Sequence, residues 1–118
     1  MEAKELRIGN YVSYLGEPQE VLGMDKTQVY IKPFYFVLYV DIDEVEPLTL
    51  TEEWLLKFGF ERISGNWFEI KGFHINVNDF SFYREQTIHD GVWLVDLKHV
   101  HQLQNLYFAL TNEELKLI

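Results

Sequence analysis

Residues 60–84, FERISGNWFEIKGFHINVNDFSFYR, decide the fold. Short aromatic and β-branched runs alternate with turn residues at close, regular spacing. The pattern predicts strands at Phe60–Ile63, Trp67–Ile70, Phe73–Val77 and Phe80–Arg84. Ser64-Gly65-Asn66, Lys71-Gly72 and Asn78-Asp79 are the turns between them. Connections this short permit only antiparallel neighbours, so the segment reads as a meander of hairpins. Gln86 to Gly91 reads as a loop and Val92–Val95 as a last strand.

Helices bracket the meander. Thr51 stands where an N-cap is expected, although Thr49 could serve instead, with Glu52 and Glu53 in the first turn, where the helix dipole favours them. Trp54, Leu55 and Phe58 form an apolar face, and Gly59 is placed to stop the helix. On the other side, residues 98–110, KHVHQLQNLYFAL, read as an amphipathic helix with a core stripe of Val100, Leu103, Tyr107 and Leu110. Its opposite face carries His101, Gln102, Gln104 and Asn105, uncharged donors and acceptors where a solvating face would more often be Lys and Glu. Amides and imidazoles suit a surface that contacts something, or a face satisfied inside the protein by bonds to the preceding sheet. A final turn, Asn112–Leu115, is expected after a Thr111 cap.

Toward the N-terminus the strands become shorter. Tyr11–Tyr14, Glu20–Met24, Gln28–Lys32 and Tyr35–Val40 are expected, with a fifth short strand inside Asp41–Glu46. Turns fall at Leu15-Gly16-Glu17-Pro18 and Asp25-Lys26-Thr27. So many short strands before Pro47 fit a small SH3-like β-barrel. The expected fold class is therefore α+β: an N-terminal small SH3-like β-barrel followed by an antiparallel sheet with two helices. The expected lobes are 1–48 and 49–118, small enough to pack as one cooperative domain.

Composition bounds the function. The chain has 118 residues, of which 47% are hydrophobic and 16% aromatic, which argues for a packed core and against disorder. Net charge is −9 and no Lys/Arg cluster exists, so direct binding to a nucleic-acid backbone or an anionic membrane is disfavoured. There is no cysteine, which excludes disulfides and thiolate metal sites. No signal peptide is visible, and the longest apolar run, Phe34–Val40, is far too short to span a bilayer, so a cytoplasmic location is expected.

Three strings, ELRIGNYV (5–12), PLTLTEEWLLKFGF (47–60) and VHQLQNLYFALTNEEL (100–115), together resemble a family of small uncharacterised bacterial proteins, including ones from phage or mobile-element regions. In that family the tail commonly reads LTGEEL. Here Asn112 stands in place of the Gly, and Asn tolerates similar turn conformations. The resemblance implies context but no activity, cofactor or catalytic residue.

The candidate chemistry is sparse. His99 and His101 are two apart, roughly 200° around a helix axis, a spacing that cannot share a metal ion. His74 sits in a strand and His89 in a loop beside Asp90. Ser13, Ser64 and Ser81 lack a nucleophile-elbow context, and no phosphate loop, dinucleotide fingerprint or HExxH motif is present. No catalytic residue, metal or cofactor is expected, and an enzyme is the weaker reading. Asp41, Asp43, Glu44, Glu46, Glu52 and Glu53 form an acidic stretch without a Lys or Arg between them. It reads as a solvated edge or as an imitation of nucleic acid. Tyr30, Phe34, Tyr35, Phe36 and Tyr39 could stack on a single strand, but the basic groove that normally accompanies that mode is missing.

The expected function is a non-enzymatic protein-interaction module. Its expected binding residues are His101, Gln104, Asn105, Tyr35, Asp41, Asp43, Glu44 and Glu46, and its partner is a protein. One alternative is an acidic nucleic-acid-mimicking inhibitor of a DNA-binding protein or nuclease. The other is a small ligand-binding protein or enzyme using His89, Asp90 or His101.

Overall fold

A computed structural model describes residues 1–85 and 91–118. Its strands are β1 (Tyr11–Tyr14), β2 (Glu17–Glu20), β3 (Gly23–Met24), β4 (Gln28–Ile31), β5 (Leu38–Asp41) and β6 (Val45–Pro47), followed by β7 (Glu61–Ser64), β8 (Trp67–Ile70), β9 (Phe73–Asn76), β10 (Ser81–Glu85) and β11 (Gly91–Asp96). Helix α1 (Glu52–Lys57) lies between β6 and β7, and α2 (Val100–Thr111) follows β11. The fold is mixed α+β, and all its ladders are antiparallel. The chain forms two compact units, residues 1–49 with 99–113 and residues 50–98 with 114–118.

In the second unit the strands are ordered β11-β10-β9-β8-β7, a simple meander. Lys71 and Gly72 both adopt positive φ between the paired Ile70 and Phe73, as a tight two-residue hairpin requires. Strand alternation sends Phe68, Ile75 and Phe82 to one face, directly opposite one another across three strands and fully buried. Helix α1 contributes buried Trp54 and Leu55. Thr51 caps it, its Oγ1 accepting from the Trp54 amide at 3.4 Å. At the other end the Gly59 amide donates to the Leu56 carbonyl and the Phe60 amide to the Leu55 carbonyl, a Schellman arrangement, with Gly59 at φ +91°. A residue with a side chain would be strained in this left-handed conformation, which glycine adopts freely.

The first unit differs from the expected barrel. Its six strands lie in two three-stranded sheets, β2-β1-β6 and β3-β4-β5, with no closure among the described residues. The expected strand Glu20–Met24 is broken because the chain changes sheets within it. Val21 exchanges backbone bonds with Gly9 and Asn10 on one side, and the Leu22 amide then donates to Tyr30 on the other. Pro18, expected in a turn, lies inside β2 at a sheet edge, where its missing N–H is tolerated. Within Asp41–Glu46, Ile42–Glu44 form a 3-10 turn, and only Val45–Pro47 pair as a strand. Leu6, Val12, Val21, Val29, Ile31, Val40 and Val45 make the core between these strands.

Helix α2 belongs to this first unit, with Val100, Leu103 and Tyr107 buried. It ends at Thr111 because Asn112 turns left-handed, φ +60°, its amide donating to the Phe108 carbonyl at 2.7 Å. The expected turn Asn112–Leu115 does not form. Thr111 Oγ1 accepts from the Glu113 amide, but the chain runs on without helix.

Candidate functional site

The polar face of α2 is where a contact surface was expected, and most of it is interior. Gln104 is 1% exposed. Its Oε1 accepts from the Tyr11 amide at 2.9 Å, and its Nε2 donates to the Gly9 carbonyl at 3.0 Å. Half-buried Asn105 accepts at Oδ1 from Arg7 Nε and from Asn10 Nδ2, both at 2.9 Å, and donates through Nδ2 to the Glu5 carbonyl. Arg7 also lies over the Phe108 ring, 4.3 Å from its centroid. The amides therefore clasp the segment Glu5–Tyr11 to the helix and satisfy backbone groups that burial would otherwise leave unpaired. This corrects the expectation for Gln104, whose two polar atoms are committed within the chain.

His101 is corrected on the same ground, being 3% exposed. Its Nδ1 has no hydrogen-bond partner. Its ring lies parallel to that of His99, centroids 5.6 Å apart. The two can approach because His99 is the N-cap in extended backbone, outside the helical geometry assumed from its spacing. Burial holds the His101 pKa below its ordinary value, the neighbouring His99 charge adds to this, and Glu5 opposes it. His101 Nδ1 is thus a buried polar atom to which the chain offers no partner.

The remaining expected residues cluster around the β4–β5 hairpin. The ladder ends at the pair Ile31 and Leu38, leaving residues 32–37 as its loop. The expected strand Tyr35–Val40 thus begins three residues late. Pro33 cannot donate to a ladder, so pairing stops at Ile31. In consequence Phe34, Tyr35, Phe36 and Val37 stand 68%, 98%, 60% and 45% exposed at the tip. Single exposed apolar residues are ordinary, whereas four in succession form a patch. Phe34 and Phe36 tilt against each other at 6.3 Å. Tyr39, 63% exposed, continues the aromatic surface onto β5.

Asp41 closes β5, Asp43 and Glu44 sit on the 3-10 turn and Glu46 on β6, and all are exposed. The hairpin and this turn are therefore contiguous in the chain, apolar tip first and carboxylates after. Missing from the expected set are Gly23, Asp25 and the pairing of Tyr30 with Tyr39. The signal for them was the ladder register, which depends on how Pro33 ends β4.

Among the described residues no group of three His, Cys, Asp or Glu could hold a metal ion. Ser81 is buried, and its Oγ donates to Asp79 Oδ1 at 2.7 Å in a turn. His89 and Asp90 lie outside the described residues. One open concavity of 270 Å³ is lined by Pro18, Gln19, Glu20, Leu22 and Lys32, and another of 240 Å³ by Gly59, Glu61, Glu69, Ile70 and Lys71. Neither contains a histidine or a serine. Among the described residues no helix is long and apolar enough to cross a membrane. Comparison with known proteins returns no matching family model, no similar curated protein and no similar solved structure.

Proposed function

We propose that this chain is a non-enzymatic protein-interaction module whose contact surface is the tip of the β4–β5 hairpin. One observation carries the proposal: Phe34, Tyr35, Phe36 and Val37 are consecutive and exposed. Keeping such a patch in water is unfavourable by about 25 cal/mol for every Å² of apolar surface that a partner could cover. None of these side chains belongs to the buried core cluster of this unit or to the partly buried residues packed against it. On the resemblance of its three strings, the module is of mobile-element origin, acting in the cytoplasm. Its two small sheets around one core are read as an open form of the SH3-like arrangement.

The exposed carboxylates at Asp41, Asp43, Glu44 and Glu46 favour a second reading, an acidic inhibitor that occupies a nucleic-acid site. The two readings separate by substitution. Replacing Phe34, Tyr35 and Phe36 together by Ser abolishes partner association under the first. Neutralising the four carboxylates abolishes it under the second. In both cases an unchanged circular dichroism spectrum shows that the fold survives. If the triple Ser variant binds its partner as tightly as the wild type, the hairpin tip is not the contact surface.

A further inference from the structure

The hairpin carries a second feature below its tip. Tyr30 and Tyr39 face each other across β4 and β5, ring centroids 4.7 Å apart and edge-on at 67°. Strand alternation puts the next pair, Gln28 and Asp41, on the same face, joined from Nε2 to Oδ1 at 3.5 Å. Asp25 Oδ2 accepts from the Tyr30 hydroxyl at 3.0 Å and so fixes that ring. Its Oδ1 accepts from the Thr27 and Gln28 amides. Gly23, opposite Tyr30, leaves the room the ring occupies, because a Cβ there would stand 2.7 Å from Tyr30 Cδ2. The face therefore runs from an apolar tip, over the fixed Tyr30 ring and the exposed Tyr39 ring that meets it edge-on, to the exposed carboxylates of Asp25 and Asp41.

Ring faces beside carboxylates are what a guanidinium recognises. It is planar and weakly hydrated, stacks on an aromatic ring and pairs with a carboxylate through parallel N–H donors. The chain supplies no Lys or Arg between Lys32 and Lys57, whereas Asp41, Asp43, Glu44 and Glu46 follow directly on the tyrosine face. An anionic occupant, whether a nucleic-acid backbone or an acidic membrane, would meet these carboxylates and a net charge of −9. Resting on the protein-interaction reading above, we infer that the β4–β5 hairpin docks a cationic, apolar segment of a partner protein, with an arginine laid over Tyr39 and paired with Asp41. The apolar tip then covers the aliphatic residues that flank the arginine.

The test is a fluorescence-anisotropy titration of the full chain with a labelled peptide of repeated Gly-Arg-Leu and with the same peptide carrying citrulline for arginine. Citrulline keeps the shape and removes the charge. The arginine peptide is expected to bind at least about tenfold more tightly than the citrulline peptide. Tyr39→Ser and Asp41→Asn each weaken it several-fold, whereas Tyr39→Phe, which keeps the ring, binds as the wild type does. Glu17→Gln, which removes an equal charge at an exposed position of the same unit, leaves binding unchanged. Circular dichroism confirms that each variant is folded.

Four results overturn the inference: no binding of the arginine peptide, equal binding of the citrulline peptide, equal losses in Asp41→Asn and Glu17→Gln, or tighter binding to oligo-dT or to vesicles containing phosphatidylglycerol. A photo-crosslink from position 35 to a partner protein, lost on Phe36→Ser but indifferent to arginine, refutes the arginine docking and leaves the interaction reading standing. Loss of both refutes both.

Discussion

Replacing Gln104 by Met keeps the volume of a buried side chain and removes both of its hydrogen bonds. The bonds lost are those to the Tyr11 amide at 2.9 Å and to the Gly9 carbonyl at 3.0 Å. Gln104 is 1% exposed, so water cannot readily take its place. Withdrawing a partner from a buried polar group costs about 1–3 kcal/mol per group. Two groups together give about 2–6 kcal/mol, a large part of the roughly 5–15 kcal/mol that holds a domain together. In a chain of 118 residues this corresponds to a fall in Tm of about 8–24 °C. Urea denaturation followed by circular dichroism measures the energy, and hydrogen exchange at the Tyr11 amide locates it. If Q104M costs less than about 0.5 kcal/mol, or if Tyr11 exchange is unaltered, the clasp between α2 and the N-terminal segment does not hold the unit together as argued.

Three other perturbations follow from local geometry. His101 has a folded pKa below its ordinary value of 6.5, so the unfolded state takes up the proton first as pH falls. Stability is therefore full above pH 6.5 and is lost as pH drops from there through the folded value, and H101Q should flatten the urea midpoint between pH 8 and 5. Gly23→Ala places a Cβ 2.7 Å from the Tyr30 ring and should cost about 1–3 kcal/mol by equilibrium unfolding while disturbing the Tyr30–Asp25 bond. Thr51→Ala removes the α1 cap and should cost about 1 kcal/mol, which thermal melts can detect.

The meander was legible because its information is local. Lys71-Gly72 and Ser64-Gly65-Asn66 fall at the hairpins, and the aromatic runs between them coincide with β7 to β11 within a residue or two. Helix α1 was legible for the same reason, from Thr51 at its start to Gly59 beyond its end. The polar face of α2 was not. Gln104 and Asn105 bond to residues that lie 93 to 100 positions earlier in the chain, and nothing in the helix itself indicates such a partner. The hairpin tip was misread because FYFVLYV satisfies every local rule for a strand. What ends the pairing is Pro33 on the partner side of the ladder, an effect visible only once the register of β4 and β5 is known. Of the expected binding residues, the structure leaves Tyr35, Asp41, Asp43, Glu44 and Glu46 on the surface and takes His101 and Gln104 into the core.

Site-specific photo-crosslinking tests the role of the hairpin most directly. A benzophenone side chain is placed at Tyr35, 98% exposed at the tip, and separately at Leu15, 83% exposed in the β1–β2 turn of the same unit. The two positions are alike in exposure, and only position 35 belongs to the patch. A discrete protein adduct from position 35, absent from position 15 and lost on Phe36→Ser, is the expected result. Equal adducts from both positions, or none from position 35 in cells that express the protein naturally, would contradict the assignment of the hairpin tip as the contact surface.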